Sequence, residues 1–177
     1  KFNRLYNLMR TKRLVEVALD KVLRNKGAQT AGVDGVTKAD LATPQARAQL
    51  VDEIQRELCA KSYRPLPVQR AYVPKPGKAE KRPLGIPTIK DRVVQEMLRS
   101  ILEPIYEAKF HPHSYGFRPF RSTHHAALRC KHLIGRCGYT YAIEGDIRKC
   151  FDKIHQGKLL QILRRTIKDE RIIRMVR

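Results

Sequence analysis

Residues 68–87 read VQRAYVPKPGKAEKRPLGIP. VQRAYV is rich in β-branched and aromatic residues and is bounded by Pro67 and Pro74, and a second short apolar stretch, LGI, runs up to Pro87. Two extended stretches joined by a polar, glycine-containing tip predict an antiparallel hairpin. Gly77 lets the backbone turn sharply. The tip gathers Lys75, Lys78, Lys81 and Arg82 within eight residues. Two roles suit it: a solvated, charged loop that keeps a β edge from pairing with other chains, or a cationic clamp on phosphates.

Helical patterns flank the hairpin. On the N-terminal side, Thr11 stands where an N-cap would, ahead of a face formed by Leu14, Ala18 and Val22 beside Val15, Leu19 and Leu23, with a stop near Asn25 to Gly27. AGVDGVT, residues 31–37, is turn material without the Gly-Lys-Ser/Thr ending of a phosphate loop. Thr43-Pro44 then opens a helix carrying Leu50, Ile54 and Leu58, and these helices pack as one N-terminal layer. On the C-terminal side, Thr88 and Asp91 form a capping-box pattern for a helix with Val94, Leu98, Ile101, Leu102 and Ile105 along one side. Pro104 should kink or shorten that helix.

The chain has 177 residues, 42% of them hydrophobic, which suffices for a packed core in one domain or two small ones. Its 37 Lys and Arg against 17 Asp and Glu leave a formal charge of +20. That excess points to a polyanion. Nucleic acid is favoured over a membrane surface, because the charge runs along the whole chain instead of along one amphipathic helix. No signal peptide or membrane span is recognisable, and no membrane partner is expected. Cys59, Cys130, Cys137 and Cys150 include no Cys-x-x-Cys pair, so reduced thiols in a cytosol are expected over a zinc ribbon or a disulfide framework.

Two later stretches carry chemistry. HPHSYGFRPFRSTHH, residues 111–125, interleaves Tyr115, Phe117 and Phe120 with Arg118, Arg121 and four histidines. Aromatic faces beside guanidinium groups are suited to stacking on bases and binding phosphates. The same loop also reads as one whose aromatics anchor it to a core, with Ser122 capping a helix from Thr123 to Ile134. In YTYAIEGDIRKCFDKIH, residues 139–155, alternation predicts a strand with Tyr141, Ile143, Gly145 and Ile147 on one face and Ala142, Glu144 and Asp146 on the other. Asp152 is expected to cap the helix carrying Leu159, Leu160 and Leu163. Asp146 is then free to bind something, and phosphoryl transfer commonly uses acids that hold divalent ions beside a positive clamp.

YRPLPVQRAYVPKPGKAEKRPLGIPTIKDRVVQEMLRSILEPIYEAKFHPHSYGFRPFRSTHHA, residues 63–126, followed by YAIEGDIRKCFDKIHQGKLL, resembles the fingers and upper palm of a reverse transcriptase of the bacterial group II intron type. AGVDGVT resembles a segment of such enzymes' N-terminal extension. The resemblance covers roughly residues 30 to 163 in family order. It implies an α+β chain: a helical N-terminal extension over 1–60, fingers with a basic β-hairpin over 61–138, and the start of a right-hand polymerase palm over 139–177.

Residue by residue, the resemblance implies that Asp146 is the first metal-binding and catalytic aspartate, with the Ile147 carbonyl assisting the metal, Mg²⁺ or Mn²⁺. Phe151 falls at the aromatic position against the sugar of the incoming nucleotide. Lys75, Lys81 and Arg82 grip its triphosphate, and Arg118 lies near template and nucleotide. Lys78, Tyr115, Phe117 and Arg121 are assigned to RNA. Asp152 and His155 are given structural roles. The second palm motif, Tyr-Ala-Asp-Asp, does not occur in the 177 residues, and neither does a thumb. Asp169 and Glu170 sit in a context unlike a catalytic turn. Two-metal chemistry needs ions about 3.5–4 Å apart held by several acids, so the chain alone is expected to be inactive. The functions implied are the N-terminal part of an RNA-directed DNA polymerase using intron RNA template, DNA primer and dNTP, or an RNA-binding maturase module that aids intron folding and splicing. A basic ribosome-associated protein is a third reading. A homodimer is compatible with the resemblance, and a bacterial cytoplasmic, nucleoid- or RNA-associated location is expected.

Overall fold

The computed structural model describes residues 2–74, 77 and 81–176. They gather into two compact units, one made of residues up to 101 with those from 160 onward, the other of residues 102–159.

The first unit is helical apart from one hairpin. A short helix α1 (Tyr6–Met9) leads into α2 (Lys12–Arg24), which buries Val15, Ala18, Leu19, Val22 and Leu23 through their 3.6-residue period. Thr11 does stand at the N-cap of α2, but its hydroxyl donates backwards to the Leu8 carbonyl at 2.7 Å and leaves the helix amides alone. After a 3₁₀ turn, Lys26–Gln29, the chain reaches α3 (Pro44–Ala60). Here the sequence signal is realised fully: the Thr43 hydroxyl accepts from the Ala46 amide at 3.2 Å, and proline occupies the first turn. Ile54 and Leu58 are completely buried. Lys61, in the left-handed region at φ 58°, ends the helix, and the Ser62 amide returns to the Glu57 carbonyl at 2.9 Å.

The hairpin follows. Strand β1 (Gln69–Pro74) pairs antiparallel with β2 (Lys81–Ile86) in a register running from Gln69 opposite Ile86 to Pro74 opposite Lys81. The ladder is exposed save for half-buried Ala71 and Ile86, and a lone two-stranded ribbon is marginal in water. Its root supplies the attachment. Helix α4 (Ile89–Glu107) begins at a closed capping box, in which the Thr88 hydroxyl accepts from the Asp91 amide (3.1 Å) and donates to the Asp91 carboxylate (2.7 Å). Its face of Ile89, Val93, Val94, Met97, Leu98 and Ile101 is buried, and the helix stops three residues after Pro104.

Helix α8 (Glu170–Val176) adds buried Ile172 and Ile173 to this core. It brings the far end of the chain back to the beginning. Phe2 bridges Ile167, the Lys168 amide donates to the Phe2 carbonyl at 2.6 Å, and the Tyr6 amide donates to the buried Asp169 carboxylate at 2.9 Å. Asp169 is thus structural. Burial opposes its charge, but Arg171 at 2.9 Å and the Tyr6 amide hold its carboxyl below the usual carboxylate range.

The second unit contains α5 (Thr123–Gly135), capped by Ser122 accepting from the His125 amide at 3.4 Å, and a short α6 (Cys150–Lys153); α7 (Gln156–Thr166) starts in it. Two expectations are corrected. Residues 141–147 are not a strand but irregular, exposed chain. A strand needs a neighbour for its N–H and C=O groups, and the ladder among the described residues is that of β1 and β2. Asp152 lies inside α6 and does not cap α7; the ring Nδ1 of His155 does, accepting from the Lys158 amide at 3.3 Å. In this unit the sole buried residue is Arg118. All four cysteines are free and exposed. Among the described residues no helix is long and apolar enough to cross a membrane.

Candidate nucleic-acid interface

Three groups of site residues emerge. Lys81 and Arg82 lie together at the start of β2, exposed; Lys75 and Lys78 lie outside the described residues. Tyr115, Phe117, Arg118 and Arg121 share the loop between α4 and α5. Asp146, Ile147 and Phe151 share the exposed segment that enters α6.

The hairpin is aimed by contacts at its root that sequence patterning missed. Gln69, with its amide turned so that the nitrogen faces the carbonyls, donates to the backbones of Ala31 and Gly32, each at 3.1 Å. Arg92 of α4 reaches the Gly27 carbonyl at 2.6 Å, Thr30 at 2.8 Å and Pro87 at 2.9 Å. Gly32 presses on the backbone of Thr88 so closely that an added Cβ would lie 2.8 Å from its Cα and N. The turn AGVDGVT, the hairpin and the start of α4 are therefore knit together. Below them Asp91 is buried and accepts from the Tyr63 hydroxyl (2.6 Å), the Thr88 hydroxyl (2.7 Å) and the Leu66 amide (3.2 Å). Burial and the hydrogen bond to Asp91 push the Tyr63 phenol well above its ordinary value, so it stays a donor.

Arg118 organises the aromatic loop. Its guanidinium forks onto the Glu107 carboxylate through Nε (3.0 and 3.1 Å) and Nη2 (2.6 Å), gives Nη1 to the His111 and Ser114 carbonyls (2.8 and 2.9 Å), and reaches the Glu107 carbonyl at 3.4 Å. It also lies over the Phe110 ring, 5.4 Å from its centre. In this conformation every N–H of Arg118 is engaged by Glu107 at the end of α4 or by carbonyls of the loop, leaving none for a nucleotide. Arg121 donates to the Pro112 carbonyl and lies 5.7 Å over half-buried Tyr115. Phe117 and Phe120, by contrast, are fully exposed and both adopt left-handed backbone, φ 56° and 58°. Bulky residues rarely take that conformation without a compensating hold; the forked Arg118 between them provides it. The sequence signal for Glu107, the partner of Arg118 eleven positions back, was its helical position alone.

Asp146 has no hydrogen-bond or ion-pair partner among the described residues, and Ile147 and Phe151 point into solvent. Among those residues no group of three or more His, Cys, Asp or Glu converges on a metal position. One exposed carboxylate does not constitute a two-ion site, so the residues present do not by themselves fit the family's metal pair.

Residues 73–176, from the hairpin to α8, match the family described as reverse transcriptase (RNA-dependent DNA polymerase). The chain belongs to the reverse transcriptase family. Among relatives of this chain, protein YkfC of Escherichia coli is 42% identical over 180 residues, covering 99% of this chain and 46% of that protein. Group II intron-encoded protein LtrA of Lactococcus lactis is 37% identical over 175 residues, 99% of this chain and 28% of that protein. Nuclear intron maturase 2, mitochondrial, of Arabidopsis thaliana is 39% identical over 90 residues, half of this chain and 12% of that protein. The chain thus spans less than half the length of these relatives, and its affinity is with the group II intron branch of the family.

Proposed function

We propose that the chain is the N-terminal, nucleic-acid-handling part of a group II intron reverse transcriptase, with residues 1–60 as extension, 61–138 as fingers and 139–177 as the start of the palm. The observation that carries this is the match along 99% of the chain to a group II intron-encoded protein; the basic hairpin, locked at its root to AGVDGVT and α4, gives it a physical form. Lys81 and Arg82, with Lys75 and Lys78, bind phosphates of template RNA and of the incoming dNTP. Asp146 contributes one ligand to Mg²⁺ or Mn²⁺, the Ile147 carbonyl assists, and Phe151 lies against the sugar. The metal, when bound, would stabilise the charge of the transferring phosphoryl group. The remaining acids must come from residues other than these 177, as must the cover for Tyr141, Ile143 and Ile147, which this chain leaves in water. Tyr115, Phe117 and Arg121 contact RNA, and Arg118 serves them by holding the loop. The similarity to a nuclear intron maturase favours a second role, binding intron RNA so that it folds and splices.

The test uses both the chain and a longer protein that contains it. The 177-residue chain should bind RNA and give no primer extension with Mg²⁺ and dNTP; templated synthesis by it would overturn the assignment. In the longer protein Asp146→Asn should abolish extension while leaving RNA affinity and Tm unchanged, because the carboxylate holds nothing in the fold, and Asp152→Asn should cost little. Extension near the wild-type rate by Asp146→Asn would remove Asp146 from the metal site.

A further inference from the structure

The cations of this chain do not all lie in the family motifs. Beside the C-terminal end of α3, facing α8, is a hollow of about 190 Å³ whose wall carries Lys61, Arg64, Arg171 and Arg174 around the rings of Tyr6 and Tyr63. A second hollow of about 290 Å³ shares Tyr63, Arg64, Arg174 and Met175 with it and adds Pro65, Val94, Gln95 and Leu98, so the two form one groove with a more cationic and a more apolar end. One cation is fixed in advance: Arg171 is forked onto Asp169 (2.9 and 3.1 Å) and lies 5.1 Å over the Tyr6 ring. Arg64 gives one N–H to the Tyr63 carbonyl at 3.0 Å. The side chains of Lys61 and Arg174 have no hydrogen-bond or ion-pair partner among the described residues. Asp169, the carboxylate at the groove, is already occupied by Arg171 and by the Tyr6 amide. Glu170, whose charge Arg174 also feels, is forked by Arg164 at 2.9 and 3.0 Å. Convergent cations whose neighbouring acids are already engaged call for an anion.

The volume narrows its class. The more cationic hollow is smaller than sites for whole small molecules, which occupy about 300–1,000 Å³, and suits a phosphate, while a sugar and base edge fit along the adjoining one. A groove that pairs cations with apolar and ring surfaces in sequence is how single strands are followed along their backbone.

We propose that this groove is a second phosphate-binding site, apart from the hairpin, which takes a phosphodiester of a single RNA strand at Lys61, Arg64 and Arg174 and lays the adjoining sugar and base along Pro65, Leu98 and Met175. It rests on the nucleic-acid reading of the chain.

The test is a salt titration of binding to an oligouridine by the 177-residue chain, its Lys61→Gln/Arg174→Gln variant and a Lys81→Gln/Arg82→Gln variant. Every phosphate that is no longer neutralised should flatten the slope of log affinity against log salt by about 0.7, so the groove variant, which loses the one phosphate held there, should lose about 0.7 in slope, with Tm unchanged because neither side chain is used in folding. An unchanged slope in a folded groove variant overturns the site. A parallel arm measures Tm with inorganic phosphate or tripolyphosphate. Should these anions raise the wild-type Tm and not the variant's while the RNA slope stays the same, the groove takes free phosphate and the RNA assignment is wrong. Should the wild type bind no oligouridine, the nucleic-acid reading fails, and the anion-dependent Tm still decides whether the groove is a phosphate site.

Discussion

Tyr63 shows how much of this protein rests on single buried polar groups. Its hydroxyl is the shortest of the donors to Asp91, a carboxylate sealed under the root of the hairpin. Removing it leaves an acceptor partly unmet, so Tyr63→Phe should cost about 1–3 kcal/mol in chemical denaturation. A loss below ~0.5 kcal/mol would show that water replaces the hydroxyl. Thr88 and Asp91 were legible as a capping box because their spacing is local; Tyr63, 28 positions away from Asp91, has no periodicity to betray it. Arg118 illustrates the same limit with opposite effect. The resemblance around it suggested a ligand contact, and the fold engages all its donors with Glu107 of α4 and carbonyls of its own loop.

At the scale of elements, helices and the hairpin followed from the sequence because their signals are self-contained: Thr43-Pro44 for α3, a proline-bounded run of β-branched and aromatic residues for β1, a capping box for α4. The segment 141–147 has a clean alternation, yet extended structure is decided by a neighbour, and no alternation says which neighbour is at hand. The hairpin is where charge should act. Replacing Lys81 and Arg82 by Gln together should flatten the salt dependence of RNA binding by about 0.7 for each phosphate they neutralise, and adding Lys75→Gln and Lys78→Gln should flatten it further. An unaltered slope across the series would leave the hairpin as a solvated edge and move the polyanion elsewhere.

Taken whole, the chain is a +20 molecule whose few acids hold it together. Glu96 is the clearest case: the guanidinium of Arg99, forked onto it at 2.7 and 2.8 Å, and Lys21 at 3.0 Å depress its carboxyl from 4.5 to about 2. Because the folded value is the lower one, its contribution is complete above pH 4.5 and disappears as pH falls towards 2. Asp40, Glu107, Asp169 and Glu170 are shifted the same way, so Tm should drop across that window, and Glu96→Gln should drop less steeply than wild type. Equal slopes for the two would mean the pair is screened away. The meeting of Phe2 and Tyr6 with residues 166–169 has a consequence for synthesis. During synthesis the Tyr6 amide lacks this acceptor until 163 further residues have been made, although the Tyr6 hydroxyl can reach the Leu58 carbonyl far sooner. Closure of so long a loop makes this contact late compared with local ones, and a nascent chain stalled before Asp169 would leave the Tyr6 amide without its carboxylate for as long as it stalled.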